Sequence, residues 1–339
     1  METTTDSKRH IALTSAEISN LWTTYMNNSM AQCVLNYFIH SVEDQEIREI
    51  VTYSLDISTT LLDKIQNIFA QENFPIPVGF TENDVNIHAS RLFSDELIIN
   101  YIDQMAKSGF IAYGLSTGLS SRLDIQDLFN EAIDMNQKAN KKTKEILLNK
   151  GLHIRPPSLA PPKEVDFVEH QSFLTGWFGR RKPLLAVEIM NIFHNLQTNS
   201  IGKAVITGFA QTAQTEDTRD YFQRGKEIAS KHVKIFQSLF TKEDIPAPET
   251  WDDDVLPSTD PPFSDKLMMF HVSMLSAMGM GNYGTSLSTS TRRDLATHYT
   301  RLLAEAGRYA EDGANITIKH GWMEQPPQSV NSDDIIKRK

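Results

Sequence analysis

The chain has 339 residues, 40% of them hydrophobic and 22% charged, as in an ordinary globular protein. Its net charge of −10 argues against a broad nucleic-acid or anionic-lipid surface, and its single cysteine, Cys33, excludes a disulfide framework and a cysteine zinc site. We find neither an apolar leader nor a run of eighteen apolar residues, so we expect a cytoplasmic protein without a membrane span.

The first predicted helices follow a polar start. Thr14 and Glu17 fit a capping box, in which the two side chains satisfy free N–H groups at a helix start. Apolar residues then recur every three or four positions to about residue 40, and again from about residue 45 to 71. The short turn between these two helices predicts that they are antiparallel neighbours.

Residues 73–92 interrupt the helical pattern with two prolines and a glycine, which indicates a long connection. A third helix is predicted to start near Phe93, with Ser94 as its candidate N-cap. A fourth is predicted from about residue 122 to 150, where Gly151 ends it. No segment alternates with a period of two for long enough to predict a strand, so the unit is all-α.

The whole pattern is then repeated. The string FSDEL at residues 93–97 returns as FSDKL at residues 263–267, 170 positions later, and matches at this offset or at 171 join the two halves from end to end. This predicts a tandem duplication. Its parts are a first four-helix bundle at 13–151, a linker at 152–182, a second four-helix bundle at 183–327 with helices near 183–211, 215–241, 263–288 and 290–313, and a loose tail at 328–339.

The linker begins with prolines and then carries four large aromatic residues, which are Phe167, Phe173, Trp177 and Phe178. A flexible tether would not need them, so we expect the linker to pack on one or both bundles as a strap. Its predicted contact residues are Phe173, Trp177 and Phe178. The alternative is an exposed patch that binds another protein chain.

Four long helices joined by a short, a long and a short connection describe a ferritin-like bundle. The closer likeness lies in SFLTGWFG at residues 172–179, PFSDKLMM at 262–269, Asp312-Gly313 and GWMEQPP at 321–327. These strings resemble an uncharacterised family of endospore-forming bacteria, similar to spore coat protein F and built of duplicated ferritin-like domains. The resemblance covers about residues 13–327. It implies the fold and a link to the spore, and it implies no reaction and no catalytic residue.

Comparison of the two copies gives the candidate site. Di-iron ferritin-like proteins place Glu-x-x-His on two helices, and no predicted bundle helix of this chain contains that motif. Four predicted core positions become ionisable in the second copy, where Leu61, Tyr101, Leu128 and Met135 are replaced by His232, His271, His298 and Glu305.

Buried polar groups need partners, and local hydroxyl or carbonyl groups would be enough to satisfy each histidine. The alternative is a divalent transition metal or a small ligand held in the second bundle. His298 and Glu305 are seven residues apart, about 10.5 Å along a helix, so they cannot bind one ion together.

These observations favour a non-catalytic structural or interaction protein of spore-forming bacteria, in the cytoplasm or incorporated into the spore. We expect no cofactor and no nucleic acid, and we expect either a protein partner or self-association. The alternative function is a metal- or ligand-binding bundle with a His/Glu site in the second copy.

Overall fold

The computed structural model describes residues 11–176 and 182–329, and this part of the chain contains eight α-helices. They are α1 (Ser15–Ser41), α2 (Gln45–Gln71), α3 (Asp95–Leu119), α4 (Leu123–Asn149), α5 (Ala186–Thr212), α6 (Glu216–Thr241), α7 (Asp265–Thr289) and α8 (Arg293–Lys319). The same residues form no strand and only two isolated β-bridges. The predicted all-α class is therefore confirmed. None of the described helices is long and apolar enough to cross a lipid bilayer.

Side-chain caps start several of these helices where the sequence predicts them. The Thr14 hydroxyl accepts from the Glu17 backbone, and the Glu17 carboxylate accepts from the Thr14 N–H at 2.7 Å. Ser94 and Ser264 cap α3 and α7 in the same way, each accepting from a backbone N–H three residues later at 3.1 Å. These bonds satisfy donors that a helix start leaves free.

The two recurring glutamates also hold the far end of each unit. Glu17 accepts from the backbone N–H of Arg122 at 2.7 Å, and Glu188 accepts from that of Arg292 at 3.0 Å. Each buried carboxylate thus joins the start of one helix to the turn between the last two helices of its half. Their recurrence is explained by this structural role.

The last helix is longer than the sequence predicts, because Gly313 does not end it. Tyr221 and Tyr309 stack at 4.2 Å between ring centroids, and each hydroxyl donates to the other residue's carbonyl. A Cβ on Gly313 would come within 2.3 Å of the Tyr221 hydroxyl. The glycine makes room for the ring, and α8 continues to Lys319.

The two long connections pair with each other reciprocally. Asn86 N–H donates to the Pro262 carbonyl at 2.8 Å, and Leu256 N–H donates to the Leu92 carbonyl at 2.9 Å. The two bonds are equivalent, because Asn86 corresponds to Leu256, and Leu92 to Pro262, at the offset of 170 residues between the halves. Two serine hydroxyls make an equivalent pair of hydrogen bonds. Ser94 donates to Asp254, which precedes the bridge residue Val255, and Ser264 donates to Asp84, which precedes the bridge residue Val85. The halves are therefore related by a local two-fold axis, as in an isologous dimer.

Core packing continues across this axis. One buried cluster contains the core of α1 to α4 together with residues of the second half, including Phe209 on α5 and Met268 on α7. A second cluster belongs to the far end of the second half. The two halves thus share buried apolar surface as well as backbone hydrogen bonds.

The linker packs only at its ends among the residues that the structure describes. Ile154 packs against both clusters, and Gly176 lies against Asp294. Between them, residues 158–172 are exposed, and Phe167 is 83% exposed. The described residues of the linker therefore touch the helices at both ends of the segment and leave its middle exposed. Trp177 and Phe178 lie outside the described residues.

Candidate functional site

His232 on α6 is the centre of a polar cluster inside the second half. Its Nδ1 lies 2.8 Å from the Tyr283 hydroxyl, and its Nε2 lies 3.2 Å from a Glu305 carboxylate oxygen. Tyr283 in turn donates to Asn199 Oδ1 at 2.9 Å. The cluster therefore joins side chains from α5, α6, α7 and α8.

All the hydrogen bonds of this cluster can form together only when the His232 ring carries a proton on both nitrogens. Asn199 donates through its amide nitrogen to a carbonyl, so its oxygen accepts from Tyr283. The Tyr283 oxygen then accepts from His232 Nδ1, and Glu305 accepts from Nε2. Burial opposes the charged ring and lowers the pKa of His232, although Glu305 favours the charge. The hydrogen bonds of His232 to Tyr283 and Glu305 therefore depend on the protonation state of its ring.

Glu305 lies at the edge of the unit and is half-buried. Lys231 Nζ contacts both of its carboxylate oxygens, at 2.7 and 2.9 Å. Burial alone would raise the pKa of Glu305, but the bonds from Lys231 and His232 hold it below the usual value. The carboxylate is thus already paired with two side chains.

His271 lies elsewhere, at the local two-fold axis. Its Nε2 is 2.9 Å from the hydroxyl of Tyr101, the equivalent residue of the first half. It is 3% exposed, its Nδ1 has no hydrogen-bond partner, and burial lowers its pKa to about 4. Since Tyr283 follows it by twelve residues on α7, about 18 Å along the axis, His271 does not reach the His232 cluster.

His298 is half-buried on α8, and burial together with Arg301 lowers its pKa. The structure therefore brings together two of the four candidate metal ligands, His232 and Glu305. Within residues 11–176 and 182–329, no group of three or more His, Cys, Asp or Glu side chains is arranged to hold a metal ion. Zinc sites in proteins use at least three such ligands.

Sequence reasoning missed the partners Tyr283, Asn199 and Lys231. Two of these partners could have been found from the repeat, because Tyr283 and Asn199 have the same residue types at the equivalent positions, Tyr113 and Asn28. In the first half these two side chains also share a hydrogen bond. The second half thus adds a histidine and a glutamate to a tyrosine–asparagine pair that both halves have.

The surface of α6 carries an open groove of about 580 Å³. Its lining residues lie between Gln223 and Ser238, and three of them are lysines. Because all of them belong to one helix, they do not converge on a ligand from several sides as in a built pocket.

Phe173 is the predicted linker contact residue that the structure describes. It is half-buried, and Lys182 Nζ lies 6.0 Å from the centroid of its ring. The apolar side chains before it are turned to solvent, among them Val165 at 88% exposure and Phe167. The linker thus contributes an exposed apolar segment.

The geometry defines a class, an all-helical protein of two repeated four-helix units with a shared core. The chain matches the model of one family twice, over residues 1–165 and 172–335, and so belongs to the family described as protein of unknown function DUF3231. This confirms the predicted membership of a family of unknown function, and the two matched regions fit a duplication. A search of curated proteins found no match.

A solved structure titled as a "putative spore coat protein" from Bacillus halodurans C-125 is similar to part of the chain. The two are 17% identical, with a TM-score of 0.41. The match covers 44% of this chain and 98% of the other. Similarity at this level does not establish a common fold or function.

Proposed function

We propose that this protein is a non-catalytic structural or interaction protein, built of two ferritin-like four-helix bundles, that acts by binding other protein chains. The observation that supports this function most directly is the exposed linker. Val165, Phe167 and Val168 are all more than 60% exposed within a few residues of one another.

An exposed apolar cluster of this kind is typical of an interaction site. Single apolar residues on a surface need no explanation, but contiguous ones usually have a partner. The linker around Phe167 has no regular secondary structure, so apart from the Phe167 N–H, which donates to Asp166 at 2.8 Å, its backbone groups are not used in a helix or sheet and can pair with another chain. The His232 cluster is already hydrogen-bonded to its own neighbours and offers less to a ligand.

The sequence resemblance to spore coat proteins indicates where to look for the partner. We propose that the protein is made in the cytoplasm and is incorporated into the spore. The test is fractionation of a sporulating Bacillus strain that expresses the intact chain. Recovery of the protein with purified spores would support the proposal, and uniform recovery in the cytosol without any bound protein would contradict it.

A linker variant makes this test specific. Val165→Ser/Phe167→Ser/Val168→Ser removes the apolar side chains from residues that touch little of the fold. We expect an unchanged melting temperature and reduced recovery with the spore fraction. Leu148→Ser/Ile318→Ser is the control, since it removes apolar side chains that are at least half exposed from α4 and α8. Equal recovery of the linker variant and the control would contradict a role for the linker.

The contact between His232 and Glu305 supports a second candidate function, a metal- or small-ligand-binding bundle. A transition metal there would need further ligands, supplied by Tyr283, by water or by the ligand itself. Metal analysis of protein purified without a tag tests it. A stoichiometric metal that is lost in His232→Phe would support this function, and sub-stoichiometric iron, manganese, zinc and copper would contradict it.

A further inference from the structure

The second half of α3 presents an apolar stripe to solvent. Ile111, Leu115 and Leu119 are spaced four residues apart, so they lie on one face of the helix. Leu123, the first residue of α4, follows just across the turn. These four side chains are 50–75% exposed. We call them the α3 stripe.

The fold itself does not require this stripe, as the second half shows. The equivalent positions on α7 and α8 are equally turned to solvent. They hold two threonines, a glycine and an arginine, which are Gly281, Thr285, Thr289 and Arg293. The same exposed positions of the same helices thus accept small or polar residues. The apolar side chains of the first half need a different explanation, and an interaction surface supplies one.

The stripe lies on the helix that also meets the second half. Tyr101 on α3 meets His271 across the local axis. Six residues further along α3, the charge of Lys107 acts with burial to lower the pKa of His194 on α5, in the second half. Ile111 follows one turn further along. The exposed stripe therefore begins on the same helix, about 15 Å beyond the residue that meets the second half.

Charge favours a second copy of the same chain as the occupant. Two chains with a net charge of −10 repel each other over most of their surfaces. No charged residue occurs between Lys107 and Arg122, so this part of α3 can meet its own counterpart without like-charge repulsion. Gly114 and Gly118 lie among the stripe residues with open space around them, which lets a second helix approach closely.

We propose that the α3 stripe is a self-association surface, through which two copies of the protein pair their α3 helices about a two-fold axis. This inference rests on the proposed function and adds to the linker a second binding surface, whose partner is a second copy of the chain. An isologous pair is expected, because one uncharged apolar stripe is complementary to itself. The contact is small compared with a standard interface, so the dimer is expected to be weak and concentration-dependent.

The test is sedimentation equilibrium of the full chain over a wide range of concentration. Leu115→Thr/Leu119→Thr gives the first half the threonines that the second half has at Thr285 and Thr289, so the fold is expected to tolerate it. Its melting curve should match that of the wild type. We expect the wild type to form dimers and the variant to have a dissociation constant about tenfold higher or more.

Two control variants show whether a loss of dimers is specific to the stripe. Leu148→Thr/Ile318→Thr changes apolar residues of similar exposure away from the stripe. The linker variant with serine at 165, 167 and 168 changes the other apolar surface. Both should dimerise like the wild type.

Each remaining outcome has a defined meaning. A monomeric wild type, or a stripe variant that dimerises as well as the wild type, would overturn the self-association surface. If the protein is nevertheless recovered with spores, the proposed function stands and only this inference fails. The same holds if the linker variant, and not the stripe variant, abolishes dimers. A monomer that binds no protein and stays in the cytosol would remove both.

Discussion

Tyr101 and His271 hold equivalent positions in the two halves and meet at the local axis. In a perfectly symmetric molecule the same side chain would face itself there. Here the Tyr101 hydroxyl and the His271 imidazole differ, and each gives the other a hydrogen-bond partner. Two identical apolar rings would need no such partner. Such a buried pair helps to define the register between the halves.

Removal of one member of this pair should cost more than removal of both. Tyr101→Phe leaves both ring nitrogens of His271 without partners, since Nδ1 already has none. We expect a loss of about 1–3 kcal/mol in the free energy of unfolding. The double variant Tyr101→Phe/His271→Phe should recover much of that loss. Denaturant titrations of the wild type and the three variants measure it, and additive losses would show that the pair is not coupled.

Acid should weaken the fold through His271. Burial places its native pKa at about 4, below the value of 6.5 for an unperturbed histidine. The unfolded chain therefore binds more protons between these values, so stability falls as the pH is lowered through this window. At about 1.4 kcal/mol per pH unit, the loss from this residue approaches about 3 kcal/mol.

Comparison with His271→Phe isolates that contribution from the other histidines. Unfolding free energies of the two proteins should diverge from near neutral pH down to about pH 4, with the wild type losing more. Parallel curves for wild type and variant would show that His271 does not titrate in this way.

At the scale of the element, α5 offers a matched pair of glycines. A Cβ on Gly208 would lie 2.6 Å from the buried ring of Phe93 in the other half, whereas one on Gly202 would meet nothing within 4 Å. Gly208→Ala should destabilise the protein by about 1–3 kcal/mol through overpacking. Gly202→Ala should stabilise it by about 0.5–1 kcal/mol, because alanine favours the helix. Thermal unfolding checks both signs, and a neutral Gly208→Ala would mean that the halves are not in close contact there.

The helices were predictable because their signals are local. The caps at Thr14 and Ser94, and the stop at Gly151, depend on residues within one turn of a helix end. The predicted end of the last helix, near residue 313, was too early, because α8 continues past Gly313, which makes room for a ring from α6 that lies 92 positions earlier in the chain. Nothing local distinguishes a glycine that ends a helix from one that makes room for another helix.

The candidate site was predictable only in part, for the same reason. Comparison of the copies identified His232 and Glu305, which do meet. It grouped His271 with them because all three replace apolar or aromatic residues at predicted core positions, yet His271 faces Tyr101 across the local axis. The reciprocal pairing of the two connections, which creates that axis, left no periodic signal in the sequence.

For the whole molecule, the two repeated halves form one body but differ in their side chains. The halves share a core and exchange equivalent hydrogen bonds, as an isologous dimer would. The first half has an apolar stripe on α3, and the second has ionisable side chains inside. The exposed linker joins two units that are already held together by their own packing.

Chain cleavage in the linker tests this shared core most directly. Chymotrypsin should cut the native protein after Phe167, since that residue is 83% exposed in an irregular segment. If the halves are held by their common core, the two fragments should elute together from a sizing column, at the volume of the intact chain, and should separate only in denaturant. Fragments that elute separately under native conditions, each compact and folded, would contradict it.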